Sequence, residues 1–231
     1  MTTISTTEDS ARPASASGAG LRTQPKRDCP LCPRLAAFRE ATRAREPGWF
    51  NSPVPPFGDT NGRLLIVGLA PGLQGANRTG RPFTGDYAGD LLYGTLAEYG
   101  FSRGTFDARP DDGLRLIDAR ITNAVHCVPP ENKPTPDEIK TCPDTYLAHR
   151  IAAMRKLPAI VMLGRISHES TLRALGHRLA AAPFGHGAVH DVGGLKLFDS
   201  YHCSRYNTNT GVLTTEMFRS VFAAVRRYLD A

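Results

Sequence analysis

No apolar run in this 231-residue chain approaches the roughly 18 positions of a membrane span, so no integral membrane protein is expected. The first 27 residues lack an apolar h-region, so no secretory leader is expected and the compartment expected is the cytoplasm. No repeat, heptad pattern or overwhelming charge is present, which excludes collagen-like, coiled-coil and wholly disordered classes. Charge of one sign is not dominant either: 28 Lys and Arg stand against 22 Asp and Glu, a net charge of +6. That excess permits a polyanionic partner without requiring one.

Cysteine is sparse, and its placement is informative. The five are Cys29, Cys32, Cys127, Cys142 and Cys203, an odd number in a chain expected in a reducing compartment. Cys29 and Cys32 form a C-x-x-C pair, and Cys127 and Cys142 form a second, wider one. Two pairs from distant segments supply four thiolates to one centre, either a structural zinc or an iron–sulfur cluster. The wide second gap leans toward iron–sulfur, and the bland alternative is four unrelated buried thiols.

Residues 1–26 are Ser, Thr, Ala and Gly with scattered charge, which reads as a disordered tail ahead of one domain over 27–231. Beyond the C-x-x-C pair, helical spacing of Leu35, Ala36, Phe38 and Ala41 predicts a helix ending before Pro47. Apolar runs predict strands at 63–70, 120–125, 159–163 and 195–200. Helices are predicted at about 87–99, 135–157, from Gly164 to about 181, and 214–229. The alternation implies a single three-layer α/β domain with a short central parallel sheet flanked by helices. Ligand sites of such sheets lie outside the carboxyl ends of the strands.

The loops at those ends are unusual. One runs GLAPG from Gly68 to Gly72, then GANRTGRPFTGD from Gly75 to Asp86. Its five glycines let backbone approach a flat ligand. It is neither a P-loop, since no Gly-Lys-Ser/Thr follows, nor G-x-G-x-x-G. A long Gly-rich turn with Asp86 capping the next helix is the bland alternative. The second loop is TNAVHCVPPENKPTP from Thr122, where Asn123 either reads a base edge or satisfies nearby backbone. The third, YHCSRYNTNTG from Tyr201, crowds a His, an Arg, aromatics and amides together.

Together with CPLC at Cys29–Cys32, these motifs resemble the uracil-DNA glycosylase superfamily, and within it the iron–sulfur branch called family 5. The resemblance spans roughly residues 28–230. Leu69 stands where the sister family 4 carries an acidic residue, which favours family 5.

The resemblance implies a [4Fe–4S] cluster on Cys29, Cys32, Cys127 and Cys142, with Cys203 unligated. It implies hydrolysis of the glycosidic bond of uracil, and of other deaminated bases such as hypoxanthine, in DNA, initiating base excision repair by a monomer. Gly68, Leu69, Ala70 and Gly72 would border the flipped base and Phe83 would stack on it. Asn123 would hydrogen-bond its edge, His202 would stabilise the departing anion, and Asp86 would orient water or balance the sugar cation. Arg78, Arg81, Arg205 and Tyr206 would contact DNA, Arg205 and Tyr206 at phosphate or in the gap left by the flipped base. His126 stands where relatives carry a basic residue, which weakens one phosphate contact. No lysine lies in the Gly-rich or His loops, so no Schiff-base lyase step is expected. Two rival readings are a non-catalytic iron–sulfur or zinc nucleic-acid-binding module, and a nucleosidase acting on free nucleosides. The first needs no catalytic acid; the second lacks a clear ribose- or phosphate-binding motif.

Overall fold

The two most continuous apolar runs, LLIVG and AIVML, become the two central strands of a sheet. A computed structural model describes residues 23–85 and 87–231. Most of the expected tail, residues 1–22, and the expected catalytic Asp86 lie outside the described residues.

The elements run in order α1 (Pro33–Arg45), β1 (Phe57–Gly58), β2 (Leu64–Gly68), α2 (Ala76–Thr79), α3 (Tyr87–Glu98), β3 (Ser102–Arg103), β4 (Arg115–Leu116) and β5 (Ala119–Asn123). There follow α4 (Pro136–Cys142), α5 (Ala148–Ala153), β6 (Ala159–Leu163), α6 (Arg165–Ala174), β7 (Val189–Val192), β8 (Leu195–Ser200), α7 (Arg205–Asn209) and α8 (Thr215–Asp230). The main sheet has the order β1-β5-β2-β6-β8-β7. Its four inner strands are parallel, as expected. The edges β1 and β7 are antiparallel, so the sheet is mixed rather than purely parallel.

Alternation along the inner strands splits the core into two layers. Leu64, Ile66, Ile121, Val161 and Phe198 face α3 and the amphipathic α8. Leu65, Val67, Ile160, Met162 and Leu197 face Ile151 of α5 and Leu172 of α6. A third, smaller cluster joins Leu35, Val125 and Tyr146 to the four paired cysteines.

The helix expected over 135–157 is interrupted. Thr135 caps α4 through a reciprocal bond with Glu138, and Pro143 then opens a π-helical stretch, Pro143–Leu147, before α5. A prolyl ring has no N–H for the helical ladder, and the wider turn accommodates it. The helix after β6 ends at Ala174 rather than near 181, where a separate 3-10 turn, Leu179–Ala181, stands.

Candidate active site and four-cysteine cavity

A pocket opens outside the carboxyl ends of β2, β5 and β8, as the switch-point rule requires. It is lined by Ala70, Pro71 and Gly72 after β2, Asn123 at the end of β5, His202 after β8, and Ala76, Phe83, Thr84 and Ala88. Register brings Gly68 opposite Asn123 at the last parallel pair. A Cβ on Gly68 would stand 2.5 Å from Asn123 Oδ1 and 2.7 Å from Phe83 Cζ. Glycine there lets the ring and the amide approach the strand end together.

Phe83 adopts a left-handed backbone, φ 56°, which costs a residue bearing Cβ about 1 kcal/mol or more. Gly89 of α3 lies against its carbonyl: a Cβ there would come within 2.1 Å of Phe83 O. The Phe83 ring faces the His202 imidazole at 6.1 Å between centroids and 25° between planes. Asn207 Nδ2 donates to the His202 carbonyl at 2.8 Å, fixing the start of the loop. Burial pushes the His202 pKa down to about 4, so the ring is neutral at physiological pH.

Asn123, His202, Phe83, Ala70 and Gly72 thus meet in one pocket, with Gly68 beneath it. Leu69 does not line it; its carbonyl accepts from Val125 N at 2.9 Å and its side chain is half-buried. Pro71, Thr84, Ala76 and Ala88 join the lining without having been singled out, because a proline, two alanines and a lone threonine carry no chemical signal in a sequence.

The basic residues divide. Arg78 is exposed, with its guanidinium 5.9 Å from the Trp49 ring. Arg205 and Tyr206 open α7 and are exposed, Tyr206 by 74%. Arg81, expected on DNA, is instead 4% exposed. It makes a bidentate pair with Asp112 at 2.8 and 2.6 Å amid the rings of Phe57, Tyr93 and Phe106. Its role is internal, because its donors are spent on a buried carboxylate. His126 is also no phosphate contact: it is buried, with Nδ1 against Val54 O at 2.7 Å and Nε2 facing Arg150 Nη1 at 3.2 Å.

Cys29, Cys32, Cys127 and Cys142 line a second cavity, walled otherwise by Pro25, Leu31, Leu35, Val125 and Tyr146. Among the described residues no three His, Cys, Asp or Glu form a group that could hold a metal ion as they stand. Burial first, then Glu138 and Cys29, push the Cys32 thiol up to about 11. Burial pushes Cys127 up to about 11 despite Arg39, and drives Cys142 higher still. Such thiols ionise only where a cationic centre offsets the burial, and a donor set of four sulfurs in apolar walls fits a thiolate-bound group. Tyr146 Oη lies 3.4 Å from Cys29 Sγ. Cys203 lies apart, in the main core, with its Sγ donating to Ala88 O at 3.5 Å.

The sheet, its strand-end loops and the pocket between them have the layout of an α/β enzyme with its site at the carboxyl ends of the strands. Residues 55–226 match the Uracil DNA glycosylase superfamily, and the chain belongs to that family. The Type-5 uracil-DNA glycosylase of Thermus thermophilus is 47% identical over 206 residues, 86% of this chain and 93% of that protein. That of Pyrobaculum aerophilum is 40% identical over 198 residues, 84% and 86% of the two chains. That of Mycobacterium tuberculosis is 41% identical over 208 residues, 86% and 77%. The chain is therefore placed with the type-5 members, as its motifs implied.

Proposed function

We propose that this protein is a monofunctional DNA glycosylase that hydrolyses the glycosidic bond of uracil in DNA, initiating base excision repair. The observation that carries this reading is the pocket, where an aromatic ring, an amide and a neutral imidazole converge at the strand ends. The type-5 relatives are uracil-DNA glycosylases, which supports uracil as the base.

A base inside the duplex is out of reach, so the nucleotide must first be flipped out of the stack. Phe83 then stacks on it, and the Asn123 amide hydrogen-bonds its edge. The bond between sugar C1′ and the base nitrogen breaks, its electron pair leaving with the base. Water oxygen bonds to C1′, and the proton it loses ends on the departed base, so the products are the sugar hydroxyl and the neutral free base. The sugar passes through a cation-like state while negative charge grows on a base carbonyl oxygen. His202, neutral because burial holds its pKa near 4, donates a hydrogen bond to that oxygen. Asp86, one position before α3 in the chain, supplies the carboxylate that orients water or faces the cation.

Small and backbone-rich walls at Ala70, Pro71, Gly72 and Ala76 present few groups that reject a different ring. On that ground hypoxanthine and other deaminated bases are substrates too. Cys29, Cys32, Cys127 and Cys142 hold a [4Fe–4S] cluster, which when bound ties three segments together rather than exchanging electrons with substrate. Arg78, Arg205 and Tyr206 face DNA, Tyr206 as the residue that fills the vacated stack. The domain is residues 27–231, acting as a monomer in the cytoplasm.

The test is a labelled oligonucleotide with a single uracil, incubated with protein purified without oxygen. Strand breaks that appear only after alkali are expected, and Asp86→Ala should slow them by about 10². Binding of the oligonucleotide without base release from any deaminated base would leave a non-catalytic module as the better reading.

A further inference from the structure

Among the described residues, two buried guanidinium groups near the cysteine-bearing loops have no buried carboxylate partner. Arg39, 3% exposed, donates from Nη1 to Cys127 Sγ at 3.6 Å and from Nη2 to the Cys29 carbonyl at 3.2 Å. Its nearest carboxylate, Glu40, lies 3.9 Å from Nε on the surface, 59% exposed. Arg150, 1% exposed, donates from Nη1 to Thr122 Oγ1 at 2.8 Å and from Nη2 to the Thr23 carbonyl, and faces His126 Nε2. His126 immediately precedes Cys127 in the chain.

Leaving a charge buried and unpaired is expensive, and among the described residues the deeply buried Arg81 forms a bidentate pair with Asp112. The buried carboxylate beside the cysteines, Glu138, is already paired with Arg34, so the buried group facing Arg39 that can become an anion is the Cys127 thiol. Four thiolates on a doubly positive core carry two net negative charges, whether that core is one zinc ion or an oxidised [4Fe–4S] unit.

We propose that Arg39 and Arg150 are the built-in counter-charges of a dianionic metal centre held by Cys29, Cys32, Cys127 and Cys142. This rests on the thiolate-held group proposed above and adds the residues that set its retention and potential. Arg39 acts on the sulfur directly. Arg150 acts through His126 and also holds Thr122, the neighbour of Asn123, so it links the centre to the strand end at the pocket.

The test compares the purified, metal-loaded protein with Arg39→Met, Arg39→Lys, Arg150→Met and Arg150→Lys. Metal content, loss of the cluster's visible absorbance under excess chelator, and reduction midpoint are measured. Each Met variant should lose the cluster about tenfold or more faster than the parent and show a lower midpoint. Each Lys variant, which keeps the charge, should stay much nearer the parent. Parent-like loss rates and midpoints in the Met variants would overturn the proposal, as would equal losses in Met and Lys variants. If one Met variant does not fold, the other carries the comparison, with Arg39→Gln as an uncharged donor expected to match Arg39→Met. A parent carrying zinc is tested by zinc release to a chelator, with the same tenfold expectation. A parent isolated with neither metal sinks the cluster reading itself, an outcome distinct from parent-like variants.

Discussion

The ring of Phe83 and the imidazole of His202 stand 6.1 Å apart, centroid to centroid, and 25° from parallel, although 119 positions separate them in the chain. One comes from the Gly-rich loop after β2 and the other from the loop after β8, strands that lie on either side of β6. The sheet order therefore builds the pocket, and the loops furnish it. Since β2 also abuts β5, the same topology brings Asn123 in from the other side.

His202 should act as a neutral donor over the whole physiological range. Its pKa falls from the ordinary 6.5 to about 4 because burial penalises the imidazolium. Single-turnover base release should show no His202 inflection between about pH 5 and 8, and His202→Asn should lose about 10² or more in rate. The sign for stability is the reverse of a salt-bridged histidine. The unfolded chain takes the proton below 6.5 while the folded ring refuses it until about 4, so the parent loses stability relative to His202→Gln as pH falls through that window. An inflection in rate near pH 6.5, absent from the variant, would contradict this.

Phe83 separates ring from backbone. Removing the ring costs stacking on the base, so Phe83→Ala should lower kcat/KM by a factor equivalent to roughly 1–3 kcal/mol. Phe83→Gly should lower it similarly yet unfold later, because glycine tolerates φ 56° where alanine does not. Unfolding free energies of the two variants from denaturant curves should differ by about 1 kcal/mol in favour of glycine, seen as a higher midpoint at equal slope. Equal midpoints would mean that the loop relaxes when the ring is lost.

Much of this was legible in the sequence, for identifiable reasons. LLIVG and AIVML read as inner strands because both faces of a covered sheet are apolar. The edges β1, two residues long, and β7, mostly polar VHDV, carry no such pattern, since pairing rather than burial forms them. Asn123 and His202 were legible from their place at strand ends. Arg81 was misread because its partner Asp112 lies 31 positions away, with nothing local to mark a buried pair. Nothing in the sequence singles out Arg39 and Arg150. Only packing shows that the α1 and α5 faces carrying them turn inward.

A buried pair behind the pocket should govern the alkaline side of stability. His168 Nδ1 lies 2.7 Å from Asp199 Oδ1, both inside the protein, and His190 Nε2 lies 3.4 Å from the other carboxylate oxygen. Burial opposes charge on His168, but its bond to Asp199 and the fields of Asp199 and Glu169 raise its pKa above 6.5 on balance. A raised histidine contributes fully below the unfolded value and loses its contribution as pH rises through the folded one. Parent minus His168→Gln, measured by urea unfolding, should therefore grow as pH is lowered from about 8 to about 6. Asp199→Asn should cost about 3 kcal/mol, since it leaves the imidazolium buried without its partner. A difference independent of pH would show the ring to be neutral throughout.

The division of the arginines makes the sharpest forecast for DNA. Each phosphate neutralised by a protein cation adds about 0.9 to the slope of log affinity against log salt. Arg78 and Arg205 are exposed in loops and short helices near the strand ends, so Arg78→Ala and Arg205→Ala should each reduce that slope by about 0.9 and leave thermal stability close to the parent's. Arg81 was expected to behave the same way, but its guanidinium is closed off by Asp112 and three aromatic rings. Arg81→Met should leave the salt slope unchanged and cost about 3–5 kcal/mol, because the Asp112 carboxylate is stranded in the interior. Arg81→Met combined with Asp112→Leu should recover part of that loss, since an apolar pair needs no counter-charge. Duplex binding across a salt series, read beside urea midpoints for the same variants, distinguishes the two kinds of arginine. A reduced slope in a fully folded Arg81→Met would return Arg81 to the DNA surface and require the loop from Gly75 to Gly85 to open on binding.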